Sequence, residues 1–151
     1  MAGVTLRTAT TADGPAIAEV LISARVGMTY LPLIHTDAEA APFIAGVLGR
    51  SRVQVAVAEG KVVGFAAVRA GWLDHLYILP EHQGAGIGTR LIAWAQEASP
   101  SGLDLWIFQR NTGARALYER HGWRVVALTD GSDNEEKQPD AHMRWRGDGC
   151  V

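Results

Sequence analysis

The chain has 151 residues, the usual length of one domain, so a single core built from residues 1–151 is expected. Hydrophobic residues make up 48% and charged residues 20%, which excludes both a disordered chain and a membrane-embedded one. A net charge of -2 excludes nonspecific nucleic-acid binding as the main task, so no nucleic-acid partner is expected. The single cysteine, Cys150, allows neither an internal disulfide nor a thiolate metal cluster. The first residues lack an apolar signal core, and no stretch approaches a membrane span, so cytoplasmic residence without a membrane partner is the expectation.

In chain order, Val4 to Ala9 reads as a short strand. Thr11, Asp13 and Pro15 then supply the start of a helix carrying Ile17, Val20, Leu21 and Ala24 at helical spacing. Thr36 and Glu39 form a capping-box pattern before Phe43, Ile44, Val47 and Leu48, and Pro42 predicts that this second helix is short or kinked. Val53, Val55 and Val57 alternate, Glu59 to Lys61 make a turn, and Val62 to Val68 completes a hairpin. Leu73 to Leu79 reads as a third strand, ended by Pro80, and Gly86 to Ala98 as a helix with Ile87, Leu91, Ala95 and Ala98 along one face. Leu103, Leu105 and Ile107 alternate next. Ala114, Leu117, Tyr118 and His121 then recur at helical spacing before Gly122. Strands around Trp123 to Ala127 and Met143 to Trp145 close the chain, separated by a polar stretch from Thr129 to Asp140. This order predicts an α/β (α+β) domain with a mixed, mostly antiparallel sheet of about seven strands and about four helices.

The segment Gln83, Gly84, Ala85, Gly86, Ile87, Gly88 and Thr89 stands between a strand and a helix, where free N–H groups and the positive end of the helix dipole converge. The three glycines let a phosphate approach the main chain, so a diphosphate is the natural ligand. The spacing is wrong for a Rossmann fingerprint, because Pro80 to Gln83 intervene after the strand and Thr89 stands where glycine is needed. No lysine follows, which excludes a P-loop.

Together Ile78, Pro80, Gln83, Gly86 and Gly88 resemble the Q-x-x-G-x-G motif of the Gcn5-related N-acetyltransferases (GNATs). Asn111, Ala114, Tyr118, Gly122 and Trp123 resemble the second motif of that family, and the two motifs cover Leu73 to Arg124. The resemblance implies an acetyl-CoA-dependent N-acetyltransferase acting on a primary amine of a small molecule or protein. It also implies that the Leu73–Leu79 strand splays from the Leu103–Phe108 strand around the pantetheine arm. Main-chain groups of Leu76, Tyr77 and Ile78 and the side chain of Asn111 would hold the arm, and the N–H groups of Gln83 to Thr89 the diphosphate. The Ile78 N–H would donate to the thioester oxygen, and Tyr118 would protonate the leaving thiolate. Transfer would be direct, since no cysteine is placed to form an acyl-enzyme.

An alkylamine with a pKa of about 10.4 needs roughly 4 kcal/mol to reach its neutral form at pH 7, so a base or a desolvating pocket is needed. The glutamate positions of several family members correspond here to Trp72 and Trp106. Asp74 is therefore the first candidate base, with His75 or a water chain next. Asp130, Asp133, Glu135, Glu136 and Asp140 against Lys137 leave the late loop acidic, suited to a cationic amine. Met28, Tyr30 and Leu33 fall where the family builds its acceptor pocket. Histidines 35, 75, 82, 121 and 142 lack metal-ligand spacing, so no metal is expected. A homodimer is possible. The alternative function is a noncatalytic acyl-CoA sensor or regulatory subunit, which would keep the glycine loop and need no base.

Overall fold

A computed structural model describes residues 3–26 and 37–147. Met28, Tyr30, Leu33, Thr36 and Cys150 lie outside the described residues. The elements run β1 (Val4–Thr8), α1 (Gly14–Val26), α2 (Ala40–Arg50), β2 (Arg52–Ala58), β3 (Lys61–Arg69) and β4 (Trp72–Ile78). They continue with α3 (Ile87–Ala98), β5 (Gly102–Phe108), α4 (Thr112–Arg120), β6 (Arg124–Leu128) and β7 (Asp140–Arg146).

Local chemistry explains most of the boundaries. Asp13 reaches back to the Thr10 N–H at 2.7 Å and takes two 2.8 Å bonds from Arg7, fixing the entry to α1. The expectation of a short or kinked second helix is corrected. Pro42 sits in the first turn of the eleven-residue α2, where an N–H has no intrahelical acceptor and its absence costs nothing. Two tight turns join β2 to β3 and β3 to β4. Each has positive φ at both central residues, Glu59 (52°) and Gly60 (77°) in the first, Ala70 (53°) and Gly71 (84°) in the second. That geometry matches the twist of antiparallel strands.

The seven strands form one sheet in the order β1-β2-β3-β4-β5-β7-β6, and every neighbouring pair is antiparallel except β4 and β5. Val62 to Val68 of β3 are all buried, as a central strand covered on both faces requires. Phe43 of α2 packs edge-on against His75 of β4, with ring centroids 5.4 Å apart. Gly88 of α3 lies against Ile78 on the same strand. Because His75 and Ile78 point to opposite faces, α1 and α2 cover one side of this half of the sheet and α3 and α4 the other.

Candidate active site

The strand pairing leaves an opening in the middle of the sheet. Ala67 opposes His75 and Val68 opposes Leu73, so Asp74 is the extra residue of a β-bulge, which bends a strand and raises its twist. On its other edge β4 meets β5 at a single register pair, Trp72 with Asp104, and beyond that pair the strands part.

The Leu79 N–H donates to the Val63 carbonyl at 2.8 Å, so main-chain groups of Leu79, Tyr77 and His75 point toward β3 by antiparallel alternation. Those of Leu76 and Ile78 therefore face the opening. Consistent with this, the Ile78 carbonyl accepts the Gln83 side-chain amide at 3.0 Å. Two residues are engaged otherwise than expected. The Tyr77 main chain is committed to β3, and the Gln83 N–H donates to the Pro80 carbonyl at 3.3 Å while its side chain ties the loop to the strand end.

At the mouth of the same opening, Gly84 (φ 81°) and Gly86 (φ 83°) take left-handed conformations, and a Cβ at either would meet open space. Glycine is required there by backbone angle, not by crowding. No carbonyl among the described residues accepts from the N–H groups of Gly84, Ala85 or Gly86. The first-turn N–H groups of Ile87, Gly88 and Thr89 lie beyond the reach of intrahelical carbonyls. These amides make an anion cradle at a helix N-terminus. Gly88 has a different task, since a Cβ there would come within 3.0 Å of Leu117 and 3.4 Å of Ile78. It lets α3 pack closely on β4 and α4.

Tyr118 is buried on α4, its ring 5.2 Å from that of Trp123. Burial, reinforced by the nearby Tyr77, pushes the phenol well above the ordinary tyrosine value. Asn111 precedes α4 without capping it through its side chain. The expected strand-end base is differently engaged: Asp74 stands in the exposed bulge, 3.3 Å from Arg69 Nε. His75 is packed among Phe43, Phe65 and Tyr77, and its Nδ1 is buried without a partner among the described residues. Burial, with smaller contributions from Arg50 and Arg25, holds its pKa below the usual imidazole value.

On the α1 face the opening is spanned by a polar group that the sequence did not reveal. Arg25 at the end of α1 pairs with Glu136 of the β6–β7 loop at 2.8 Å, and its charge works against the burial that raises the Tyr77 phenol's pKa. The loop's acids are largely used within the fold: Asp140 accepts from Thr129 and Asn134, and Asp130 accepts the Ser132 N–H. Next to them is a cleft of about 480 Å³ lined by residues including Trp106, Phe108, Asp133 and Glu136.

A sequence model of the acetyltransferase (GNAT) domain family matches residues 49–125. The chain belongs to the GNAT family. A mycothiol acetyltransferase from Nocardiopsis dassonvillei is 35% identical over 83 residues, which are 52% of this chain and 25% of that one, so this GNAT chain spans about a quarter of that relative. YjaB of Salmonella typhimurium, a peptidyl-lysine N-acetyltransferase, is 29% identical over 103 residues, 68% of this chain and 70% of its own. Among solved structures, the PaiA N-acetyltransferase of Thermoplasma acidophilum in complex with coenzyme A superposes with a TM-score of 0.73 at 18% identity, covering 95% of this chain and 99% of that one. The mixed seven-stranded sheet with four helices is thus the GNAT fold.

Within this GNAT sheet, Trp72 and Trp106 form two sides of a ring cluster. His142 lies between them, stacked on Trp72 at 5.2 Å and tilted against Trp106 at 5.0 Å. Its Nε2 is 2.8 Å from Asp104 Oδ1, which also accepts Arg144 Nε at 2.7 Å. Burial works against the Asp104 carboxylate, yet the bonds from Arg144 and His142 outweigh it and lower its pKa. Sequence reading missed this group because its members come from three strands. The available signal was the polar face of β5, Asp104 and Trp106 alternating with buried Leu103, Leu105 and Ile107.

Proposed function

We propose that this GNAT chain is a single-domain, acetyl-CoA-dependent N-acetyltransferase that moves the acetyl group directly onto a primary amine of a small molecule or a protein. The observation that carries the proposal is the parting of β4 from β5 after one register pair, with the N-terminus of α3 at the mouth of the gap. A pantetheine arm carries amides of its own and suits a gap edged by the unpaired main-chain groups of Leu76 and Ile78. The Gly84–Thr89 amides would take the diphosphate, and Asn111, just past the end of β5, is the residue that the family motif assigns to the arm. The coenzyme A complex of PaiA supports the same ligand class here.

In this reading the N–H groups of Leu76 and Ile78 face the thioester, where negative charge develops as the amine attacks. Tyr118 reaches the sulfur. Its raised pKa keeps the phenol protonated until a thiolate forms, and the same burial makes a lasting phenolate costly, so its contribution is a hydrogen bond to the departing sulfur. Asp74 is paired to Arg69 in the bulge and has no part in this reading.

The test is calorimetric affinity for acetyl-CoA beside NAD and ATP, followed by thiol release with a panel of amines. Binding selective for acetyl-CoA, with release stimulated by at least one amine, is the expected result. Selective binding without amine-stimulated release would identify a noncatalytic acyl-CoA sensor instead. No metal is required in either assay.

A further inference from the structure

Resting on the acetyltransferase reading, we propose that His142 is the general base that takes the amine proton, held in its working tautomer by Asp104. β5 runs parallel to β4 from the Trp72–Asp104 pair, so Trp106, and with it His142 opposite in β7, lies level with the bulge at Asp74. Leu76 is two residues further along the gap, about 7 Å along the strand direction, with β5 between it and His142, so an amine would lie over β5 between the imidazole and the Leu76 N–H. The face is also right. Trp72 shares its side of β4 with His75 and Tyr77, because its partner Arg69 alternates in phase with Ala67 and Phe65. His142 stacks on Trp72 and therefore stands on the face that the cleft beside Trp106 opens onto, opposite α3.

The electrostatics fix which nitrogen acts. An ionised carboxylate only accepts hydrogen bonds, so Asp104 takes the Nε2–H and the lone pair of the neutral ring resides on Nδ1. Arg144 on the same oxygen keeps Asp104 ionised. Asp104 bonds the ring and Arg144 bonds Asp104; β4 contributes Trp72 with Arg69 opposite it, β6 places Ala127 opposite His142 and Arg124 opposite Arg144, and Asp133, Glu136 and Asp140 line the cleft beyond Trp106. The two indoles exclude water from both faces of the ring without blocking its edge. Trp106 itself is 53% exposed, so the cluster is open to an incoming substrate. Neither competitor has these properties, since Asp74 is held by Arg69 and His75 is sealed under Phe43.

The step balances without any further reactant. The amine lone pair forms the C–N bond, and the surplus N–H proton passes to His142 Nδ1. The C–S bond then breaks and its electron pair leaves with the thiolate, which the Tyr118 hydroxyl meets. The imidazolium proton reaches the thiolate through solvent, giving amide and free thiol. Asp104 and Arg144 are positioning residues, because they act only through the ring.

The full-length chain and its variants His142→Gln, His142→Ala and Asp104→Asn are to be compared by acetyl-CoA calorimetry, single-turnover rate and pH profile with the best amine of the panel. We expect His142→Gln to bind acetyl-CoA as the parent does, to lose at least about a hundredfold in rate and to lose the acidic limb of its kcat/KM profile. Asp104→Asn should lose roughly tenfold at unchanged cofactor affinity, and added imidazole should restore part of the rate of His142→Ala. A His142→Gln rate within about threefold of the parent, or an intact acidic limb, overturns the base assignment alone. A parent chain that binds acetyl-CoA yet releases no thiol with any amine overturns the acetyltransferase reading and the base with it.

Discussion

At the residue scale, the site separates side chains that chemistry needs from those that architecture needs. Tyr118, the proposed donor to the leaving sulfur, stands out in the sequence through the resemblance of Asn111 to Trp123 to a family motif, and the structure adds that burial raises its pKa. A phenol so displaced stays neutral throughout the working range. The activity should therefore show no alkaline loss from this group at or below the ordinary tyrosine value of about 10. Tyr118→Phe should lower the single-turnover rate by about tenfold or more with little change in acetyl-CoA affinity, measured by stopped-flow thiol release and calorimetry. Asp13 belongs to the second kind. Hydrogen bonds from Arg7, aided by the Thr10 N–H, hold its carboxyl far below the usual range. A depressed folded pKa gives stability that is present above the unfolded value near 4 and is lost as pH falls toward the folded one. Asp13→Asn should thus cost about 1 kcal/mol at neutral pH through the lost cap, and should flatten the fall in melting temperature between roughly pH 5 and 2, as followed by circular dichroism.

At the element scale, the glycine loop shows how far sequence reasoning carried. The placement of Gln83 to Thr89 between a strand and a helix was readable from periodicity, but the division of labour among the glycines was not. Gly84 and Gly86 serve the backbone angle and Gly88 serves packing against Leu117 and Ile78, a difference that depends on which way each Cα–H bond points. Gly86→Ala places a side chain in a left-handed conformation worth about 1–2 kcal/mol of strain. It should weaken acetyl-CoA binding roughly tenfold by calorimetry, whereas Gly86→Glu should abolish it through charge and bulk. The same limit explains the missed partners of the site. Asp104, His142 and Arg144 are 38 and 40 residues apart in sequence, and only the antiparallel pairing of β5 with β7 brings them together. The late loop reads as an acidic surface, and Asp130, Asp133 and Glu135 are exposed; Glu136 and Asp140 instead turn to Arg25, Thr129 and Asn134, where the chain returns to β7. Pro42 is tolerated for a simpler reason: a proline is disruptive only past the first turn, and α2 begins at Ala40, later than the Thr36–Glu39 capping pattern suggests.

At the scale of the whole molecule, two blocks of sheet share little main-chain pairing. The block β1 to β4 with α1 and α2 meets the block β5, β7 and β6 at Trp72 and Asp104. On the α1 face, the Arg25–Glu136 pair joins them again from the far side of the gap. The pair lies on the face of the Trp106 cleft, whose lining includes Glu136, and away from the glycine loop; under the proposed function that is the acceptor side. Arg25→Met should therefore raise the KM for the amine several-fold while leaving acetyl-CoA affinity within about twofold, resolved by varying each substrate in turn. No helix among the described residues is long and apolar enough to cross a membrane.

The parted strands also bear on how the protein folds as a thermodynamic object. A sheet interrupted at its midline has unfilled rungs, and an elongated ligand with its own amides can act as an inserted strand, finishing secondary structure that the polypeptide leaves incomplete. Occupancy then contributes to cohesion as well as to turnover: at a hundredfold excess over the dissociation constant, such a ligand adds about 2.7 kcal/mol to the unfolding free energy. Under the proposed function that ligand is the thioester donor, and its occupancy is what completes the sheet.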